Sequence, residues 1–223
     1  IYIYIYMYIF CINLNKRTDK WKHILTQKKY IGEITRWEGT EGNLLDTCPD
    51  YIEPIFKRSY NDILTLSKGE WGVLDSSVRL WKYIFDNNIE QTLILEDDII
   101  LNEKLDNFLE TRKNDIPSDW DIILLGHGSI KSAYLTKINN NVLKFEGDWF
   151  NGAYSYLINI NGVNKILKYL KKNKIDRPLD CFIANSSITC NLNIYKFSQN
   201  LFFHKELGSD IWHCGGTNNF YND

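Results

Sequence analysis

Short continuous apolar runs alternate along this chain with longer segments whose apolar residues recur every three or four positions, the pattern of an α/β fold. YIFCINL near the start reads as a buried strand, and EITRWEG, TLILEDDI, DWDIILLG and NGAYSYLI follow as further strands. Helical spacing fills the intervals. Thr18 reads as the cap of a helix that carries Trp21, Ile24 and Leu25 on one face. From Gly72, the positions Val73, Leu74, Val78, Trp81 and Phe85 mark an amphipathic helix that runs to a turn at Asn87-Asn88. Another helix is expected over 103–113, and after Gly162 the residues Val163, Ile166, Leu167 and Leu170 make one apolar stripe. Residues 43–67, with Cys-Pro and Glu-Pro pairs, read as a long loop, and the stretch from RPLD onward shows little periodicity. One domain over residues 1–223 is expected.

Composition narrows the function classes. With 26 Lys and Arg against 28 Asp and Glu, no global positive field draws the chain to nucleic acid or anionic lipid. The five cysteines, Cys11, Cys48, Cys181, Cys190 and Cys214, are odd in number and show no CxxC spacing, which disfavours a disulfide framework or a zinc knuckle. The opening IYIYIYMYIFCINL falls short of the roughly twenty apolar residues that span a bilayer and lacks the flanks of a leader. A reducing, cytoplasmic setting is therefore expected, although a first residue of Ile rather than Met leaves an upstream segment open.

The strongest chemical signal is LILEDD, where an apolar strand delivers Glu96, Asp97 and Asp98 to its carboxyl end, the edge at which open α/β sheets bind ligands. A strand period of two would put Glu96 and Asp98 on one side, ready to converge on a hard cation, and Asp97 on the other. An exposed acidic turn is the alternative.

Around these acids the chain resembles glycosyltransferase family 25. The resemblance runs through INLNKRTDKW at 12–21, the turn RWEGTEG at 36–42, GEWGVLDSSVRLW at 69–81, LILEDDI, DWDIILLG, NGAYSYLINING, RPLD and HKELGSDI. Two departures stand out: the family's Ser-His pair is Ser76-Ser77 here, and Asp75 stands where a Leu is expected. The C-terminal region is also trimmed relative to the animal collagen-modifying members.

That resemblance implies a GT-A fold, a Rossmann-like mixed sheet flanked by helices, and transfer of a hexose from a UDP-hexose, with inversion, to a glycan or collagen-like acceptor. It implies a Mn2+ or Mg2+ ion held by Asp98, with Glu96 beside it and His204 completing the set, His213 being the fallback. Asp180 is the expected base toward the acceptor hydroxyl and Asp148 the runner-up, with helix capping as the other use of Asp180. Asn13, Arg17, Trp71, Gly72 and Ser76, together with Glu96 and Asp97, are the expected contacts to the sugar donor. Tyr154 and Tyr156 are core or sugar-stacking aromatics. A catalytically silent member that binds carbohydrate or a partner is the second hypothesis, suggested by Ser77. Phosphoryl transfer ranks third, because no P-loop is present.

Overall fold

The computed structural model describes residues 7–59, 62–101 and 103–211. Its centre is an eight-stranded mixed sheet. In sheet order the strands are Thr35–Glu38 (β2), Tyr8–Asn13 (β1), Gln91–Leu95 (β5), Ser155–Asn159 (β10), Ile122–Gly126 (β7), Ile194–Phe197 (β11), Val142–Phe145 (β9) and Leu135–Lys137 (β8). The β2-β1-β5 trio is parallel, β10 runs against both β5 and β7, and β11 is parallel to β7. Two small antiparallel pairs stand outside the sheet: the hairpin of Ile55–Ser59 (β3) with Asp62–Thr65 (β4), and Ile99–Leu101 (β6) with the distant Phe202–His204 (β12).

Alternation along the central strands sorts their side chains into two cores, as a sheet covered on both faces requires. Phe10, Ile94, Tyr156, Ile158, Ile122 and Leu124 join one core, under Lys68–Asp86 (α2), Ile160–Leu170 (α4) and Leu179–Thr189 (α5). Ile9, Cys11, Leu93, Leu95, Leu157 and Ile123 join the other, under Thr18–Ile31 (α1) and Leu105–Arg112 (α3). Among the described residues no helix is long and apolar enough to cross a membrane.

Several elements differ from the sequence reading. Thr18 is the first residue of α1 and no side chain caps that end. The helix buries Lys20, Ile24, Gln27 and Ile31, so its inner stripe carries two polar residues, while Leu25 is exposed. The segment 43–67 holds the β3–β4 hairpin and a 3-10 turn at Gly42–Leu44 rather than a continuous loop. α2 starts at Lys68, ahead of Gly72, because Ser67 and Glu70 form a capping box that satisfies the first backbone donors. The C-terminal third contains α5, β11 and β12. α5 is buried at consecutive positions from Asp180 to Ala184, so it has no one-sided stripe to announce it.

α2 also sits unusually close to the turn before it. A Cβ on Gly72 would come within 2.5 Å of the Thr40 carbonyl oxygen and 2.8 Å of the Gly42 nitrogen, so helix and turn touch backbone to backbone. Asp75 locks the same junction: it accepts from the hydroxyls of Thr40 and Tyr51 and from Arg79 Nε at 2.9 Å. A Leu here, as the family pattern has, would leave those donors without their acceptor. Gly72→Ala should cost about 1–3 kcal/mol by overpacking. Urea denaturation reads this as a lower midpoint at unchanged slope; an unchanged midpoint would contradict the close approach.

Candidate active site

Strand registers decide what meets at the carboxyl edge of the sheet. Cys11 pairs with Leu95 in the parallel β1–β5 ladder, so residues 12–14, of which Ile12 and Asn13 still pair with β2, lie beside 96–98 as the latter leave the sheet. Ser155 pairs with Leu95 from the antiparallel side, which brings 151–154 to the same edge, and the Glu96 N–H donates to the Tyr154 carbonyl at 2.9 Å. The antiparallel β6–β12 pair sets His204 opposite Ile99, and the Lys205 N–H donates to the Asp98 carbonyl at 2.7 Å. The start of α5 supplies Asp180. Between them lies a cavity of about 740 Å³ whose walls include Lys20, Glu70, Glu96, Asp98, Asp180 and His204.

The acids do not alternate as a continued strand would place them. β5 ends at Leu95 and 97–98 form a turn, so Asp97 and Asp98 both face Lys20, whose ammonium lies 3.0 Å from Asp97 Oδ1 and 2.8 Å from Asp98 Oδ2. Asn13 Nδ2 donates to the other Asp97 oxygen at 2.7 Å. His204 Nε2 stands 3.4 Å from Asp98 Oδ2. Asp98 Oδ1 is buried with no hydrogen-bond partner. Burial, with Asp98, Asp97 and Asp180 nearby, pushes the Glu96 carboxyl up to about 8 despite Lys20. Burial raises Asp97 as well, against the pull of Lys20 and Asn13. It also raises Asp180, although that carboxylate accepts the N–H groups of Gly152 and Cys181, both at 2.8 Å.

The remaining candidates divide. Ser76 lines the cavity, its hydroxyl donating to the Gly72 carbonyl at 2.6 Å and accepting the Thr40 N–H at 2.8 Å. Tyr154 lines it too, its ring 5.2 Å from that of His204, whereas Tyr156 is core. Asn13 is buried and braces its neighbours, donating to Asp97 and to the Arg17 carbonyl and accepting Arg36 Nε at 2.8 Å. Arg17 is not among the lining residues. It pairs with Asp19 and Asp210 and donates to the Leu207 carbonyl at 2.7 Å, which holds the 207–210 segment as a cavity wall.

Trp71 packs against the α2 core, with its indole N–H buried and unpartnered, and Gly72 serves the close approach to the Thr40 turn; neither lines the cavity. Ser77 is fully buried and donates to the Val73 carbonyl at 2.9 Å, so its side chain points along its own helix. Asp148 is exposed, bonds the Tyr134 hydroxyl and lies outside the lining. His213 and Cys214 fall outside the described residues.

Sequence reasoning passed over Lys20 and Glu70. Both stand inside quoted motifs, TDK and GEW, and a lysine on the apolar stripe of α1 was the available signal.

Residues 7–183 match the family model described as glycosyltransferase family 25 (LPS biosynthesis protein). Procollagen galactosyltransferase 2 of Mus musculus is 28% identical over 173 residues, covering 71% of this chain and 27% of that protein. A Bos taurus protein named as a probable inactive glycosyltransferase 25 family member 3 is 23% identical over 177 residues, covering 71% and 28%. The chain thus spans a little over a quarter of the length of these relatives. Its backbone is also similar to mouse xyloside xylosyltransferase 1 in its apo form, with 7% identity, a TM-score of 0.44, and coverage of 90% of this chain and 85% of the other.

The raised carboxyls tie stability to pH. The folded protein holds the Glu96 proton up to about 8 while the unfolded chain releases it near 4.5, so the folded state binds more protons in that window and stability falls as pH rises. His127, pushed down to about 4 by burial, works in the opposite direction only below its ordinary 6.5. In chelator, the melting midpoint should therefore drop between pH 6.5 and about 8, and Glu96→Gln should flatten that limb. A wild-type profile that rises or stays level there contradicts the buried, crowded carboxyl.

Proposed function

The chain belongs to glycosyltransferase family 25, and on that basis we propose that it transfers a hexose, galactose or glucose, from a UDP-sugar to a hydroxyl of a glycan or collagen-like acceptor, with Mn2+ or Mg2+ as cofactor. Asp98 supports this most directly: the residue lines a cavity at the ligand-binding edge of the sheet, and its buried Oδ1, which has no hydrogen-bond partner, is an acceptor that a cation would satisfy. Among the described residues no three His, Cys, Asp or Glu side chains already form a metal cage. The donor set nonetheless fits a hard divalent ion that takes the rest of its shell from phosphates and water: Asp98 Oδ1, the Glu96 carboxylate and His204 Nε2 would hold it. When bound, such an ion supplies positive charge to the diphosphate as it departs.

The chain's own residues do the rest. Lys20 and Asn13 fix Asp97, and the wall of 208–211 held by Arg17 narrows the cavity around the nucleotide and limits water. Asp180 accepts the proton of the acceptor hydroxyl. Its two backbone N–H bonds fix the carboxylate plane, and burial raises its basicity, as a base working near neutral pH requires. It lies in the first turn of α5 and bonds the N–H of the very next residue, so it does not serve as the helix's N-cap, which is Pro178. Tyr154, beside His204, offers a flat face for the sugar.

One observation favours a silent, carbohydrate-binding member instead. Ser77 occupies the position of the family's imidazole, and nothing on that side chain reaches the cavity. Release of hexose from UDP-galactose or UDP-glucose in the presence of Mn2+ separates the two readings. The transferase turns over, and the silent module binds without release.

Asp180→Asn should lower transfer by roughly the 10²–10⁴-fold of a positioned proton transfer. Nucleotide affinity should stay unchanged, and the carboxylate limb of the rate–pH profile should disappear. Loss of nucleotide affinity alongside transfer would make Asp180 a contact to the sugar donor rather than the base.

A further inference from the structure

Among the described residues only two lysines are buried, and Lys20 is the one at the cavity. A lysine on the inner face of a helix is tolerated only when its charge is matched, and here two carboxylates match it. The consequence for those carboxylates is unequal. Asp97 is closed, one oxygen taken by Lys20 and the other by Asn13. Asp98 is held by Oδ2 alone, and its buried Oδ1 stays open. Lys20 thus turns a run of three acids into one fixed brace and one half-engaged ligand.

We propose that Lys20 is the resident counter-ion and positioning residue of the site: it closes Asp97, presents Asp98 by a single oxygen, and by its own charge keeps the affinity for a divalent cation low until a diphosphate arrives with it. The inference rests on the transferase reading for its cation, and on the two ion pairs for everything else. A cation on Asp98 Oδ1 and the ammonium on Oδ2 share one unit of negative charge, so each weakens the hold on the other. The phosphates of a nucleotide diphosphate restore the balance by adding negative charge, which makes cation and nucleotide binding mutually reinforcing. Without either ligand, Lys20 spares the strand end the repulsion of Asp97 against Asp98.

The experiment compares Mn2+ affinity, from the EPR signal of the free ion, in wild type, Lys20→Met and Lys20→Arg without nucleotide, together with melting midpoints in chelator and in saturating Mn2+. Lys20→Met should bind Mn2+ about tenfold more tightly or better, melt lower than wild type in chelator, and recover with Mn2+. Lys20→Arg, which keeps the charge, should retain the weak affinity of wild type. UDP should tighten Mn2+ binding in wild type by a larger factor than in Lys20→Met. Equal or weaker Mn2+ affinity in Lys20→Met overturns the proposal, as does the absence of saturable Mn2+ binding in both proteins. If Lys20→Met fails to fold in chelator, refolding yield against added Mn2+ decides: recovery supports the counter-ion role and no recovery overturns it. None of these readouts needs a sugar donor, so failure of the transferase reading shows separately, as missing hexose release by wild type.

Discussion

Three carboxylates at the end of one buried strand cannot coexist without positive charge, and the site is organised around how that charge is supplied. Lys20 reaches Asp97 and Asp98 from α1, and Asn13 takes the remaining oxygen of Asp97 from the end of β1. Glu96, buried among Asp98, Asp97 and Asp180, has its carboxyl pushed up to about 8 despite Lys20. The cost of burying an unmatched acid and the capacity to bind a cation are the same property viewed with and without the ligand.

Sheet topology makes this concentration possible. Parallel β5 ends beside β1, and antiparallel β10 enters on its other side, so three segments from distant parts of the chain meet at one edge of the sheet. The antiparallel β6–β12 pair then brings His204 from the C-terminal part of the chain to Asp98. Around this rim the polar hub of Asp75 and the close approach at Gly72 fix the turn that carries Thr40, while Arg17 fixes the 207–210 wall. Each brace lies one step away from the cavity, which is why several motif residues support walls instead of lining them.

The central strands, α2 and α4 were legible because their apolar residues follow a period that burial enforces. α5 and β11 were not, since an element buried at consecutive positions has no contrast between faces, and β12 is only three residues long. The acids were visible as composition at a strand end, but not their pairing: the turn after Leu95 replaces strand alternation and swings Asp97 and Asp98 to the same lysine. Arg17 and Trp71 were placed at the nucleotide by motif alone, and motif position does not reveal whether a side chain faces a ligand or a neighbouring loop. Asp148 illustrates the same gap from the other side: its place in sequence beside the aromatic segment suggested the site, and its exposed position beside Tyr134 puts it outside the cavity lining. Lys20 could have been found, because a lysine in register with Ile24 and Ile31 has to be matched by something.

A crystal structure with UDP and Mn2+ is the most direct measurement of whether the acidic end of β5 is a nucleotide-sugar site. The account predicts the ion on Asp98 Oδ1, the diphosphate beside it within the cavity, and Asp97 still engaged by Lys20 and Asn13. An ion bound elsewhere, or a diphosphate outside the cavity while Asp98 Oδ1 stays bare, would contradict it.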